Sequence, residues 1–176
     1  MKKKTRREIL PDYVYGSVLV AKLINKLMLD GKKVVAEKIL YGALERILEA
    51  MKNGKIEVKT DNQEKFNIAN MMKNQSVLIE FLIEKVAPTV QVTTKRVGGA
   101  NYQIPSAIST KKAFSFAIKW IVLAVRNRPE KTAINRLYAE IIDIFNDKGE
   151  AIKKKQDIHK LAESNRAFAH FAKLSF

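Results

Sequence analysis

Residues 90–108 read VQVTTKRVGGANYQIPSAI, and they carry the clearest β-strand pattern of the chain. Val90, Val92 and Thr94 alternate with Gln91, Thr93 and Lys95, which is the period of two expected of a strand. Gly98-Gly99 then favours a tight turn, because glycine adopts positive φ without a steric penalty. Pro105 has no N–H to donate to a ladder, so the returning strand is predicted to be an edge strand or to end there. The stretch therefore predicts a two-stranded β-ribbon over residues 90–105.

Such a ribbon is only marginally stable alone, so it needs a body to hold its base. Helical periodicity in most of the remaining chain supplies that body. The predicted helices cover about residues 17–29, 34–51, 76–86, 110–126, 131–146 and 151–167. Ser17 and Ser109 or Thr110 are predicted N-caps, and residues 54–73 are predicted to form an irregular insertion. The expected fold is a mainly α bundle of about six helices with one protruding antiparallel ribbon.

The composition indicates one globular domain with a polyanionic partner. Of 176 residues, 47% are apolar, enough for a substantial core. Lys and Arg number 33 against 18 Asp and Glu, a formal net charge of +15. Such an excess attracts polyanions, and nucleic acid is the usual one. A membrane span is not predicted, since no apolar run approaches the roughly 18 residues required. A membrane surface is not predicted as the partner either, because no single helix combines a large apolar face with a heavily basic rim. A merely soluble basic protein is the plainer alternative.

The positive charge is concentrated in four places besides the ribbon. The first is a basic arm, residues 1–12, in which a dense run of like charges favours disorder until a polyanion binds. The others are the loop after the first helix, one side of the fourth helix, and the first turns of the last helix, where the helix dipole disfavours cations. The residues concerned are Lys2, Lys3, Lys4, Arg6 and Arg7; Lys32 and Lys33; Lys112, Ser115, Lys119 and Arg126; and Lys153, Lys154 and Lys155. A solvated face and a phosphate-contacting face both remain open for the fourth helix.

Residue patterns typical of catalysis are missing from the sequence. There is no cysteine, and the Gly98-Gly99 region lacks the lysine and spacing of a P-loop. His159 and Glu163 share a helix face at i, i+4, a pair that is far more often a surface hydrogen bond or packing contact than a metal site. No enzymatic activity, cofactor or metal is predicted.

Matches spread along the chain indicate a family. The chain resembles the bacterial-type seventh protein of the small ribosomal subunit in segments that occur in the family's order. These segments are Ile9–Asp12, Leu29–Lys33, Ala36–Tyr41, Lys95–Pro105, Lys119–Ile121, Ala151–Lys155, Asp157–Glu163 and Asn165–Phe171. Two departures are the insertion at 54–73, longer than the family's usual connection, and Ala172-Lys173 where members often have an Arg-aromatic pair.

The resemblance implies a structural constituent of the small ribosomal subunit that binds the 3′ major domain of its ribosomal RNA and nucleates assembly of the head. The first helix, its loop, the ribbon and the fourth helix would face RNA. By position, the residues implied are Lys22, Lys26, Lys32, Lys33, Lys95, Arg96, Lys112, Lys119 and Arg126, to which the charge pattern adds the arm, Lys153 and Lys154.

The resemblance also implies further partners. The ribbon tip would lie near the exit-site tRNA and the mRNA path. That tip comprises Val97, Gly98, Gly99, Ala100 and Asn101. The C-terminal region would approach the eleventh protein of the small subunit, among other head proteins. Localisation would be cytoplasmic, in the ribosome, or alternatively in an organellar ribosome.

Two alternative functions stay open at this point. A DNA-binding or architectural protein is one alternative, since a basic ribbon on a helical body also fits a DNA groove. An enzyme acting on nucleic acid is another, although no acidic cluster supports it.

Tyr102 is expected either to pack on the ribbon or to stack on a base. Trp120 is expected in the core, and the aromatic residues after Phe168 are expected either to pack back or to meet a partner.

Overall fold

The fold is seen in a computed structural model that describes residues 8–53 and 74–173. The basic run Lys2–Arg7 and the predicted insertion at 54–73 lie outside these residues. The described elements confirm a mainly α bundle with one antiparallel two-stranded ribbon. They are α1 (Val18–Leu27), α2 (Lys33–Lys52), α3 (Gln75–Val86), β1 (Val90–Val97), β2 (Ala100–Ala107), α4 (Thr110–Asn127), α5 (Ala133–Phe145), α6 (Glu150–Ser164) and a 3-10 helix (Arg166–Lys173).

The core lies where the apolar faces of the six α-helices meet. The stripe predicted on α2 is buried at Leu40, Leu44 and Ile47, against residues such as Ile24 of α1 and Phe145 of α5. The i, i+3, i+4 spacing of these side chains places them on one side of each helix. Burying that side stabilises the bundle by roughly 25 cal/mol per Å² of apolar surface removed from water.

Side chains cap the N-termini of two helices but not those of α1 and α4. Asn74 accepts a hydrogen bond from the Ser76 N–H at the start of α3, and Thr132 accepts one from the Asn135 N–H at the start of α5. Ser17 occupies the predicted N-cap position of α1, but its side chain makes no capping bond. Ser109 likewise occupies the predicted N-cap position of α4 without making a capping bond. The predicted positions are therefore confirmed, and the predicted capping by these hydroxyls is wrong.

The ribbon has the predicted turn but a longer second strand. Gly98 and Gly99 have φ of 57° and 88°, as the turn between β1 and β2 requires. Pro105 pairs with Val92 inside β2, which continues to Ala107. The expected end at Pro105 is therefore corrected, while the edge alternative is confirmed. Alternate residues of an edge strand direct their N–H away from the ladder, so a proline is tolerated there.

The final helix is shorter than the expected 151–167. It ends at Ser164, and Asn165 donates from Nδ2 to the Leu161 carbonyl at 2.8 Å. The chain then turns into the 3-10 helix, which packs on β2. The Phe168 and Phe171 rings lie 5.1 and 5.6 Å from the Tyr102 ring, measured between centroids. The tail thus packs back, and Tyr102 is engaged by protein, because the three rings bury one another.

Within the part of the chain that the structure describes, no helix combines the length and the apolar character needed to cross a membrane.

Candidate nucleic-acid interface

A groove between α1 and α4 contains most of the positively charged side chains of these two helices. Five lysines line it, together with Asn25, Ser115 and four apolar residues, and none of the described acidic residues does. The lysines are Lys22, Lys26, Lys111, Lys112 and Lys119. A surface of this composition attracts polyanions.

The lysines face the groove because the opposite side of each helix is buried. On α1, Leu23 and Ile24 are in the core, while Lys22 and Lys26 are one turn apart on the other side. On α4, Ala117, Trp120 and Ile121 are buried, whereas Lys112 and Lys119 are exposed. The predicted basic row is therefore confirmed as an exposed row.

Lys111 was missed by the sequence interpretation. It lines the groove beside Lys112, at the first turn of α4. The missed signal was spacing, since Lys111, Ser115 and Lys119 follow one another at i, i+4 and i+8. That spacing forms a row along one helix face as good as the row that begins at Lys112.

Arg126 has a structural partner within the protein. Its Nη2 donates to the carbonyl oxygens of Lys26 at 3.3 Å and Leu27 at 3.5 Å, at the end of α1. The last carbonyls of a helix have no partner inside it, and a basic side chain is a common substitute. The bond ties the two walls of the groove together. The RNA contact predicted for Arg126 stays a prediction.

The loop lysines lie just beyond the end of α1. Lys32 and Lys33 are exposed, and Lys33 Nζ lies 3.5 Å from Glu37 Oε1, one turn further along α2. An exposed pair of this kind is worth at most about 1 kcal/mol, so it does not prevent Lys33 from binding an anion.

On the ribbon, Lys95 and Arg96 are exposed near the tip and point to opposite faces. Arg96 pairs with Asn101, one step from the turn-forming pair Val97 and Ala100, and Lys95 pairs with Tyr102, two steps from it. Successive strand residues face opposite sides, so Lys95 shares a face with Tyr102 and Arg96 does not. Each face of the ribbon therefore has one cation near its tip.

The lysines of α6 are partly used inside the protein. Lys153 is exposed, whereas Lys154 Nζ lies 3.4 Å from Glu150 Oε1. Lys155 donates from Nζ to the Lys85 carbonyl at 2.7 Å. Burial lowers the pKa of Lys155; the charge of Asp147 raises it in part, and the charge of Lys85 lowers it again. Glu150 in the first turn offsets the unfavourable helix dipole, so an outside anion is not required for that purpose.

His159 contacts the base of the ribbon. Its Nε2 accepts a hydrogen bond from the Thr89 N–H at 3.3 Å, immediately before β1. Burial, and next the charge of Lys155, lower the pKa of His159, which keeps the ring neutral and able to accept. Among the described residues, no group of three His, Asp or Glu side chains is arranged to hold a metal.

The structure thus brings four predicted residues, Lys22, Lys26, Lys112 and Lys119, into one groove together with Lys111. It leaves Lys95 and Arg96 on the ribbon and Lys153 and Lys154 on α6.

Comparison with known proteins gives consistent matches over nearly the whole length. The family model described as "Ribosomal protein S7p/S5e" matches residues 1–166. Small ribosomal subunit protein uS7 of Petrotoga mobilis is 41% identical over 173 residues, covering 97% of this chain and 99% of the relative. The uS7 proteins of Pelagibacter ubique and Dictyoglomus thermophilum are 43% and 44% identical, covering 97% and 95% of this chain and 97% and 94% of their own.

Proposed function

The chain belongs to the ribosomal protein S7p/S5e family as a bacterial-type uS7, and from this premise we propose that it binds small-subunit ribosomal RNA through the groove between α1 and α4. Members of this family are structural components of the small ribosomal subunit and not enzymes. The observation that carries the proposal is the lining of the groove, which within the described part of the chain has five lysines and no acidic residue.

The proposed mechanism is electrostatic neutralisation combined with recognition of shape. Each lysine that neutralises a phosphate releases a condensed counterion, so affinity falls with salt by roughly 0.7–0.9 logarithmic units per contact and per tenfold increase. A folded RNA is then recognised by its shape and 2′-hydroxyls, because its deep major groove is closed to side chains. The RNA proposed is the 3′ major domain, where binding would nucleate assembly of the subunit head.

The ribbon is proposed to extend this interface toward the exit-site tRNA and the mRNA path. Its tip, Gly98–Asn101, is exposed, and Lys95 and Arg96 supply a cation on each face next to it. The tail contact at Tyr102 and the His159 contact at Thr89 hold the ribbon from its body side. A ribbon held in this way presents its tip in one direction.

We also propose that the C-terminal region approaches the eleventh protein of the small subunit among its neighbours in the head, and that the ribosome concerned is cytoplasmic. Support for the first part is the 3-10 helix, whose residues Arg166 and His170 are exposed.

Filter binding at several salt concentrations tests the RNA interface. The full chain is compared on a transcript of the 3′ major domain and on duplex DNA. Lys112→Ala with Lys119→Ala should weaken binding to the transcript and reduce the salt slope by roughly 1.4–1.8, the share of two contacts. Lys131→Ala with Lys148→Ala removes the same charge from exposed loop positions outside the groove and should leave the slope nearly unchanged.

Two results would contradict the proposal. Equal losses for the two double variants would show that net charge, and not the groove, attracts RNA. Equal affinity of the unmodified chain for transcript and duplex DNA would instead favour a general nucleic-acid-binding protein.

A further inference from the structure

The turn that precedes α1 is held rigidly by a buried carboxylate. Asp12 is only 7% exposed, and its Oδ2 accepts hydrogen bonds from the N–H groups of Val14 at 3.2 Å and Tyr15 at 3.1 Å. Its Oδ1 accepts one from the Tyr41 hydroxyl of α2 at 2.9 Å. Burial, and next the bond to Asp12, raise the pKa of Tyr41, so the hydroxyl stays a donor. Asp12 therefore fixes both the shape of the turn and its position on α2.

The backbone and a second tyrosine strengthen this anchoring. The Gly16 N–H donates to the Asp12 carbonyl at 2.8 Å, and the Asp12 N–H donates to the Ser17 carbonyl at 3.2 Å. The Tyr15 ring meets the Tyr41 ring edge-on, 5.4 Å between centroids at 77°. The residues on both sides of position 13 are thus fixed to the body of the protein.

Tyr13, between these anchors, is fully exposed at 101%. A large aromatic ring in open solvent on a rigid turn contributes nothing to the core. A tyrosine side chain has two rotatable χ angles, and its backbone is already ordered, so it would lose little conformational entropy on binding a partner.

The turn adjoins the lysine groove at both of its ends. Ile9 lines the groove and lies four residues before Tyr13, a span of at most about 14 Å of extended chain. After the turn, exposed Val18 begins α1, and Lys22 and Lys26 follow it at successive i+4 positions. Residues spaced in this way share one helix face, so a continuous strip joins the turn to the lysines.

We propose that Tyr13 is a stacking site for one unpaired nucleobase of an RNA whose phosphates occupy the groove. The inference rests on the proposed RNA binding and adds a base-contacting residue to it. Lysines neutralise phosphates but carry little sequence information, whereas unpaired bases of loops and bulges stack on exposed aromatic rings. The charge of the adjoining groove favours nucleic acid over an apolar protein as the occupant.

Equilibrium binding of Tyr13 variants to two RNA probes tests the proposal. The probes are the 3′ major domain transcript, which contains loops and junctions, and a fully paired RNA duplex. Tyr13→Leu, which keeps an apolar side chain without a ring, should weaken binding to the transcript by about 5- to 150-fold. Tyr13→Phe should bind within about twofold of the unmodified chain, because stacking needs only the ring.

Two further expectations separate stacking from other causes. The salt slope should not change in Tyr13→Leu, because no charge is removed, and duplex binding should not change either. The matched control is Leu10→Ala, 80% exposed in the same segment, which should bind as the unmodified chain does. Tyr13→Leu, Tyr13→Phe and Leu10→Ala should have the melting temperature of the unmodified chain, since the side chains of Tyr13 and Leu10 are both exposed.

Three results would overturn the inference. Unchanged transcript binding by Tyr13→Leu, while Lys112→Ala with Lys119→Ala loses binding, would remove the stacking site and leave the proposed function standing. An equal loss in Leu10→Ala would indicate a general apolar contact in place of base stacking. Failure of the unmodified chain to prefer the transcript over duplex DNA would remove the RNA-specific function and the stacking site together.

Discussion

Arg128 donates from Nη1 to Oε2 of Glu140 at 2.8 Å, and Glu140 is only 1% exposed. The other oxygen of Glu140 accepts a hydrogen bond from the Ala151 N–H at 3.2 Å, in the first turn of α6. Burial lowers the pKa of Arg128, but hydrogen bonds to three carboxylates, that of Asp143 first, raise it by more. One buried carboxylate thus joins the α4–α5 turn to the start of α6.

Removing Arg128 should be costly, because Glu140 would remain buried with no compensating charge. We expect Arg128→Ala to lower the free energy of unfolding by about 3–5 kcal/mol. Urea denaturation measures this. Arg46→Ala is the matched control, because Arg46 is exposed on α2 and its side chain hydrogen-bonds to Asn135. Loss of this surface contact should cost at most about 1 kcal/mol. Similar costs for the two variants would mean that the Glu140 pair contributes no more than a surface contact.

Trp120 should be essential to the core. It is 7% exposed on α4, and its ring stacks on Phe116 at 5.8 Å between centroids. We expect Trp120→Ala to cost about 3–5 kcal/mol through the cavity it leaves. Leu123→Ala, on the exposed side of the same helix, should cost much less. Thermal unfolding followed by circular dichroism would decide, and a near-neutral Trp120→Ala would refute the core assignment.

Stability should fall in mildly acidic solution because of His159. Its pKa in the folded protein is lower than the ordinary value of 6.5, so the unfolded chain takes up the proton at a higher pH. The stabilisation is therefore fully present above about pH 6.5 and is lost as the pH falls below it toward the folded pKa. His159→Gln should reduce the difference in unfolding free energy between about pH 7.5 and about pH 5.5.

A second variant assigns the cause of this pH dependence. Lys155→Met removes the neighbouring positive charge but leaves the burial of His159, which is the larger cause. It should therefore reduce the pH dependence only in part. If His159→Gln had the same pH dependence as the unmodified chain, another group would be responsible.

The ribbon cations should matter for RNA binding and not for folding. Lys95→Ala with Arg96→Ala should weaken binding to the 3′ major domain transcript at an unchanged melting temperature, since both side chains are exposed outside the core. Thr93→Ala with Thr94→Ala is a control that alters one residue on each face of the same strand without changing charge. A large drop in melting temperature for the charge variant would contradict the prediction.

The two single variants carry further information. Lys95 and Arg96 lie on opposite faces of the ribbon, so an RNA that contacts one face would be affected by one variant and not the other. Equal effects would indicate that the RNA surrounds the tip.

The sequence was informative wherever structure depends on near neighbours in the chain. The stripe of α2 from Ala36 to Met51 repeats with the helical period, and the Gly98-Gly99 turn needs the positive φ that glycine permits. The exposure of Lys112 and Lys119 followed from the same periodicity, because residues opposite a buried face point to solvent. These features were predicted correctly.

The features that were missed depend on contacts between distant parts of the chain. The helical pattern continues past Ser164, and only the contact of Phe168 and Phe171 with Tyr102, more than 60 residues away, explains why the tail turns back as a 3-10 helix. From the sequence, Arg126 is one more surface cation, and only the fold shows that it hydrogen-bonds to the end of α1. Lys155 likewise belongs to a basic run in the sequence, but in the fold it is half-buried and donates a hydrogen bond to the Lys85 carbonyl of α3.

By itself, the sequence determined the helices, the ribbon with its turn, and the sign of the charge, because local periodicity and composition fix these. The tertiary structure alone decided which cations share a groove, which are used inside the protein, and how firmly Asp12 holds the turn that displays Tyr13. The physical reason is that a lysine's role depends on the charges and carbonyl groups brought near it by helix packing, and neighbours in sequence do not specify them.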